Sequence, residues 1–182
     1  MTTFVGGMSG PWRVISIVPT RGDGLLWAPR LEIQEASPNE SRASPGETSW
    51  ALRGVRSYLR YVERGEKARL DELSPSLGRP EATRAALIPI RKSTGWWDLP
   101  QDERRAILET RSHHISGSMK YMPAVARRLY HGRDLGEPFD FLTWFEYAPG
   151  DADLFEDLVA MLRATEEWTF VEREVDIRLA RE

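Results

Sequence analysis

Cysteine is absent from all 182 residues of the chain. Disulfides, thiolate chemistry, zinc–thiolate sites and iron–sulfur clusters are therefore excluded together. Histidine is nearly as scarce, with only His113, His114 and His131. That is too few for a site built on several imidazoles, but one axial imidazole remains available. No stretch approaches the ~18 uninterrupted apolar residues of a membrane span. The opening MTTFVGGMSG has neither a basic nor an apolar leader region, so no signal peptide is read and the cytoplasm is the expected compartment. Excess charge of one sign is missing too: 25 basic and 28 acidic residues leave a net charge of −3. A nucleic-acid surface would show a basic excess or stripe, whereas a local basic pocket for a small anion stays possible. No Gly-rich phosphate loop, His-Glu-x-x-His motif or nucleophile elbow occurs.

The hydrophobic fraction of 41% suffices for a real core. The length fits one compact unit or two small, closely packed halves. Seven tryptophans is a high count, and tryptophan serves cores, planar cofactor pockets and interfaces alike.

Along the chain, β-branched residues at 12–19 predict a strand, 21–24 a turn, and 26–34 a second strand. Residues 36–47, rich in Ser, Pro, Asn and Glu, predict an exposed loop. Residues 49–62 carry both a two-residue and a helical spacing and stay open between strand and helix. A charged surface helix is expected over 63–74, a loop between Pro75 and Pro80, and a strand over 83–91. Asp98, with an early proline and acids following, predicts a helix over about 100–116. Gly117 interrupts it. A second helix is expected over about 119–131, with Met122, Val125, Ala126 and Leu129 on one face and Gly132 as its stop. Residues 139–147 read as an aromatic strand, and a third helix opens at 150–153. The last strand falls near 168–179. There Val175, Ile177 and Leu179 share one face, while Trp168 and Phe170 have the other parity, which implies a bulge or two covered faces. The class is α+β: an antiparallel sheet with helices on one face, with two ferredoxin-like halves in one sheet a natural arrangement.

Few residues stand out chemically. His114 sits at the edge of an apolar helical stripe, where a histidine is usually structural and only sometimes a ligand. His113 points about 100° away from it, over Glu109. His131, at an expected helix end, suits the carbonyl dipoles there. Arg127 and Arg128 lie beside an apolar face; most such arginines reach for solvent, but one turned inward offers a fixed cation for a small oxyanion. Glu166 or Glu167 either lies exposed or accepts the free N–H of a metal-bound imidazole. Lys92, followed by Trp96 and Trp97, leaves a strand and enters a helix. Two tryptophans in a core corner explain that segment as well as a cofactor edge does.

These residues together resemble a known family. Lys92, Trp96-Trp97, His114, Tyr121, Arg127, the run Leu129-Tyr130-His131-Gly132-Arg133-Asp134-Leu135-Gly136 and the run from Phe139 to Glu146 are similar to the chlorite dismutases. So are Leu52-Arg53-Gly54, Arg60-Tyr61-Val62 and Glu66. The short N-terminal part is similar to the short, dimeric branch. The resemblance implies a dimeric α+β barrel with two ferredoxin-like halves, an N-terminal one over 1–90 and a haem-binding one over 91–182, and makes 49–62 a strand. It implies haem b and the decomposition of chlorite to chloride and molecular oxygen. His114 matches the proximal ligand of the iron. Arg127, thirteen residues on, matches the distal arginine, which retains hypochlorite in the pocket until the O–O bond forms. Glu167 matches the partner of the ligand histidine. Lys92 and Trp96 match the propionate side, as Tyr61 does, and Trp97 matches the tryptophan near the haem and the subunit interface. Coproporphyrin-haem decarboxylases share the fold and the histidine but lack this arginine. A haem sensor or carrier, or a haem-free barrel, are the further alternatives.

Overall fold

The computed structural model describes residues 1–35, 48–56 and 61–181. The loop expected at 36–47 lies outside these residues, as does Arg60.

Eight strands close into an antiparallel barrel. In chain order they are β1 (Thr2–Gly7), β2 (Trp12–Arg21), β3 (Arg30–Glu35), β4 (Thr48–Arg56), β5 (Arg84–Lys92), β6 (Ala126–His131), β7 (Phe141–Tyr147) and β8 (Val171–Arg181). Around the barrel the order is β1-β3-β2-β8-β5-β7-β6-β4. Helix α1 (Arg64–Leu73) links β4 to β5. The β5–β6 crossover carries α2 (Thr94–Asp98), α3 (Gln101–Arg105), a π-helical turn (Ala106–Arg111) and α4 (His114–Ser118), and α5 (Ala152–Arg163) links β7 to β8. The expected boundary at 90/91 falls inside β5, which pairs with β7 and β8 along its length.

Alternation along each strand sorts side chains between two cores. Phe4, Trp12, Leu52, Trp144, Ile177 and Leu179 fill the barrel. Ile88, Ile90, Phe141 and Phe145 project to the other side, where Trp96 and Ile107 of the crossover and Phe155 of α5 cover them. Glycine lets β4 and β6 meet: a Cβ on Gly54 would lie 2.6 Å from Cβ of Tyr130, across the β4–β6 contact.

Three expectations change. The second helix does not form: Met119–Tyr121 is a 3-10 turn, Pro123 follows, and the chain enters β6 at Ala126. Pro123 removes a helical donor and crowds the preceding turn. The apolar spacing of Met122, Val125, Ala126 and Leu129 reflects a turn followed by a strand. Arg127 and Arg128 are therefore strand residues, and His131 ends β6 beside β4 rather than a helix. The first helix is broken as well, because His113 has φ 50° and the helix restarts at His114. Finally, β1 was not expected: its six residues, TTFVGG, are short and end in two glycines. Of the stretch 49–62 that the resemblance made a strand, residues 49–56 belong to β4, 57–60 lie outside the described residues, and 61–62 are not strand. Trp168 and Phe170 precede the last strand in a 3-10 turn (Glu166–Phe170), and central β8 is covered on both faces.

Candidate active site

A cavity opens between the outer face of the sheet and the helical layer. Its inner part is lined by Ile88, Phe145 and Arg127 from the sheet and by Leu108, His114 and Leu162 from the cover. An outer cleft shares Tyr61, His114, Arg127 and Phe141 with it and continues past α1, so the two adjoin. Most of the lining is apolar, with a few charged groups, as in sites for flat organic cofactors.

His114 is the first residue of α4 and half-buried. Its Nδ1 lies 2.5 Å from Glu167 Oε2. Glu167 stands in the Glu166–Phe170 turn and is 4% exposed. Its backbone N–H donates to Ser112 Oγ at 3.1 Å, so this turn is stitched to the residues just before His114. Lys92 Nζ donates to Glu167 Oε1 at 2.8 Å and to the Glu167 carbonyl at 3.2 Å. Burial would raise the Glu167 carboxyl, but the charges of His114 and Lys92 and their hydrogen bonds outweigh it and hold the pKa down to about 2. Burial also lowers the Lys92 ammonium, against the pull of Glu167 and Asp140. An ionised carboxylate only accepts hydrogen bonds, so Nδ1 of His114 carries the proton of that bond, and Nε2 is the ring nitrogen left to meet a ligand.

Lys92 is 3% exposed and lies 4.5 Å from the Trp96 ring centroid and 5.5 Å from that of Trp168. Its backbone N–H donates to Asp140 Oδ2 at 2.7 Å. Trp96 lines the cavity with its Nε1 buried and unpartnered among the described residues. Tyr61 sits where the inner cavity meets the outer cleft, edge-on to Trp96 at 6.0 Å, its hydroxyl accepting from Arg104 at 3.4 Å. Trp97 stands one layer back. It stacks on Phe141 at 5.9 Å, carries the Arg133 guanidinium at 4.0 Å and donates to Asp140 at 3.3 Å, without lining either part of the cavity.

Arg127 projects from β6 into both parts of the cavity. Among the described residues no carboxylate pairs with it, and loss of solvent lowers its pKa. Arginine nevertheless stays charged at neutral pH, so this is a cation whose natural counter-ion is a ligand. The strand placement, not the helix expected from sequence, sets it on the sheet wall while His114 reaches in from the helical cover.

Sequence reasoning passed over Ser112, Asp140, Trp168 and Glu174. Asp140 ties Lys92 and Trp97 together; Glu174, 1% exposed, accepts the Trp168 indole at 2.9 Å and Arg163 at 2.8 Å. The available signal was an acid between two aromatics (Phe139, Phe141) and a tryptophan directly after Glu167.

A lone imidazole backed by a buried carboxylate is a strong neutral donor, and the carboxylate fixes its tautomer. No cluster of three or more His, Asp or Glu side chains suited to a bare ion occurs among the described residues. The donor set therefore fits a metal that brings its own equatorial ligands. A mostly apolar cavity with one imidazole on the helical side and one arginine on the sheet side is compatible with such a group.

Comparison with known proteins decides the family: a profile described as chlorite dismutase matches residues 8–182. The chain belongs to the chlorite dismutase family. It is 60% identical to a dimeric chlorite dismutase from Nitrobacter winogradskyi, with a TM-score of 0.93 and complete coverage of both chains. A mutant chlorite dismutase from Candidatus Nitrospira defluvii in complex with cyanide is 26% identical, with a TM-score of 0.62 over 74% of this chain and 55% of that one. The chlorite dismutase of Ideonella dechloratans is 31% identical over 114 residues, or 62% of this chain. The matched part spans 38% of that longer relative. No helix among the described residues of the chain is long and apolar enough to cross a membrane.

Proposed function

We propose that the chain is a haem b enzyme that decomposes chlorite to chloride and molecular oxygen. The observation that carries this reading is Arg127, a half-buried cation with no carboxylate partner among the described residues, facing the same cavity as a histidine whose other nitrogen is bound to a carboxylate. The relatives that share the family are named for the same activity. Haem supplies the redox chemistry when bound.

His114 Nε2 would hold the iron, while Glu167 accepts the Nδ1 proton and makes the imidazole a stronger donor. Lys92 neutralises Glu167 and keeps it ionised. Tyr61 and Trp96 would face the propionate edge, with Trp97 supporting that edge through Phe141 and Asp140; Lys92, expected there from the sequence, is instead bound to Glu167. Arg127 draws in the chlorite anion and orients it with its fork of N–H donors. It would keep the chlorine-bearing part of the substrate in the cavity until chlorite, ClO₂⁻, has been converted to Cl⁻ and O₂. Such a preorganised cation acts strongly in a water-poor cavity.

The subunit is further read as two ferredoxin-like halves and as one member of a homodimer. The order β8-β5-β7-β6, with the succession strand, helix, strand, strand, helix, strand from β5 to β8, supports the first. The division then falls before β5, at 74–83. The dimeric relative supports the second. The experiment is oxygen evolution by haem-loaded protein given chlorite, read on an oxygen electrode. One O₂ per chlorite is expected. None from a correctly loaded sample would reject the assignment in favour of a haem sensor or a coproporphyrin-haem decarboxylase, the latter revealed by loss of mass from coproporphyrin haem under peroxide.

A further inference from the structure

We infer that Glu109 is the positioning residue for His114, gripping the backbone on both sides of it and so aiming the imidazole at Glu167. The geometry is local. The π-helical turn Ala106–Arg111 ends, Ser112 and His113 follow, and His113 takes the left-handed conformation at φ 50°. Helix α4 begins at His114 and has only five residues. A helix of one turn cannot sustain itself, and its first N–H groups have no acceptors inside it. His113, in the capping position, makes no side-chain cap.

Glu109 meets this need from the preceding turn. Its Oε2 accepts the Ile115 N–H at 2.7 Å, and its Oε1 accepts the Ser116 N–H at 3.1 Å. Its backbone carbonyl accepts the His113 N–H at 2.9 Å. One residue thus brackets His114 from before and after. Further along, the Gly117 N–H donates to the His113 carbonyl at 2.7 Å, and the Ser118 hydroxyl donates to the His114 carbonyl. The direction of the His114 side chain is fixed by this short turn, because side-chain direction follows backbone direction. A left-handed non-glycine residue and a π turn side by side are features that cluster at functional sites.

The inference goes beyond the haem reading and rests on it in one arm of its test only. In haem-free protein labelled with ¹⁵N-histidine, the His114 Nδ1 proton, bonded to Glu167, should resonate far downfield. His114→Gln and Glu167→Gln assign the signal by removing it. Glu109→Ala is expected to broaden or lose it, and to speed haem transfer to apomyoglobin about five- to tenfold, the size of a lost helix cap. Glu109→Gln keeps a carbonyl acceptor and should restore the signal. If Glu109→Ala does not fold, Glu109→Asp, one methylene short, reads the same signals. A full signal in Glu109→Ala, with only a lower melting temperature, makes Glu109 a plain helix cap and overturns the inference. Absence of the signal in the parent overturns it too. Haem loss as fast in the parent as in His114→Ala defeats the haem-ligand reading instead, leaving the proton signal to decide on Glu109.

Discussion

The two sides of the same sheet solve opposite problems. On β6, Tyr130 points into the barrel and Arg127 away from it; on β8, Ile177 points in and Glu174 out. The barrel interior is filled by large rings, among them Trp12 against Trp144 at 5.2 Å and Phe4 against Tyr130 at 5.2 Å. The helical side buries Lys92, Glu167 and Glu174 and keeps an open volume beside them. Burying charge costs free energy unless it is paired, and each of these three is paired. Among the charges that line the inner cavity, Arg127 alone has no ion-pair partner among the described residues, and it marks where a ligand belongs. One side of the sheet supplies stability; the other spends packing on a site.

The largest expected effects test that division directly. Trp144→Ala empties part of the barrel and takes the indole donor from Glu146, which it meets at 2.9 Å. It should cost about 3–5 kcal/mol in denaturant unfolding of the haem-free protein. His114→Ala should leave that stability nearly intact while abolishing stable haem binding, read as loss of the Soret band. Normal haem retention would remove His114 from its role. Arg127→Ala should not destabilise the fold, since a partly desolvated cation with no ion-pair partner among the described residues is removed. Turnover should fall about 100-fold or more, and the haem should bleach within fewer cycles. A stable, fully active Arg127→Ala would erase the contrast between the two sides.

The pH dependence sharpens the comparison further. The Glu167 pKa is depressed from 4.5 to about 2 in the folded protein. A depressed carboxylate contributes stability that is present above 4.5 and lost as pH falls toward 2. Acid unfolding of the haem-free protein should thus steepen between those values, and Glu167→Gln should flatten the curve there. Breaking the buried pair from the other end, Lys92→Met should raise the Glu167 pKa and move acid unfolding to higher pH. If neither variant alters the acid limb, the helical side is not held by this ion pair.

Much of this contrast was legible in the sequence, unevenly. Strands with a clear run of β-branched or aromatic residues, such as β2, β5 and β7, could be placed from periodicity. Strand β6 could not, because a proline-containing turn followed by a strand mimics helical spacing over Met122, Val125, Ala126 and Leu129. Strand β1 carries too few residues to signal itself, and its partners β3 and β4 lie well down the chain. His114, Arg127 and Glu167 were singled out by type and by family resemblance. What brings them together is tertiary: Glu167 is 53 residues from His114, and Lys92 is 75 from Glu167. Spacing along a chain carries no record of such contacts. Asp140 and Glu174 escaped notice because a buried acid in a strand looks, in sequence, like an exposed one.

The two sides differ in backbone as well, and the smallest effect tests that. His113, at φ 50°, is the only non-glycine residue with positive φ among the described residues, and it adjoins the ligand rather than the barrel. Its side chain is exposed. The left-handed conformation costs a non-glycine residue about 1 kcal/mol, and glycine escapes that cost but loses more chain entropy on folding, about 0.5–1 kcal/mol. His113→Gly should therefore leave stability unchanged or raise it by less than about 1 kcal/mol. His113→Val, β-branched, should lower it by about 1–3 kcal/mol. Thermal melts of the two variants side by side check the sign. Equal losses in both would mean that the His113 imidazole, not its backbone, matters at this position. A neutral glycine beside a damaging valine would show that the site depends on this bend in the chain, while the barrel contains no comparable strain.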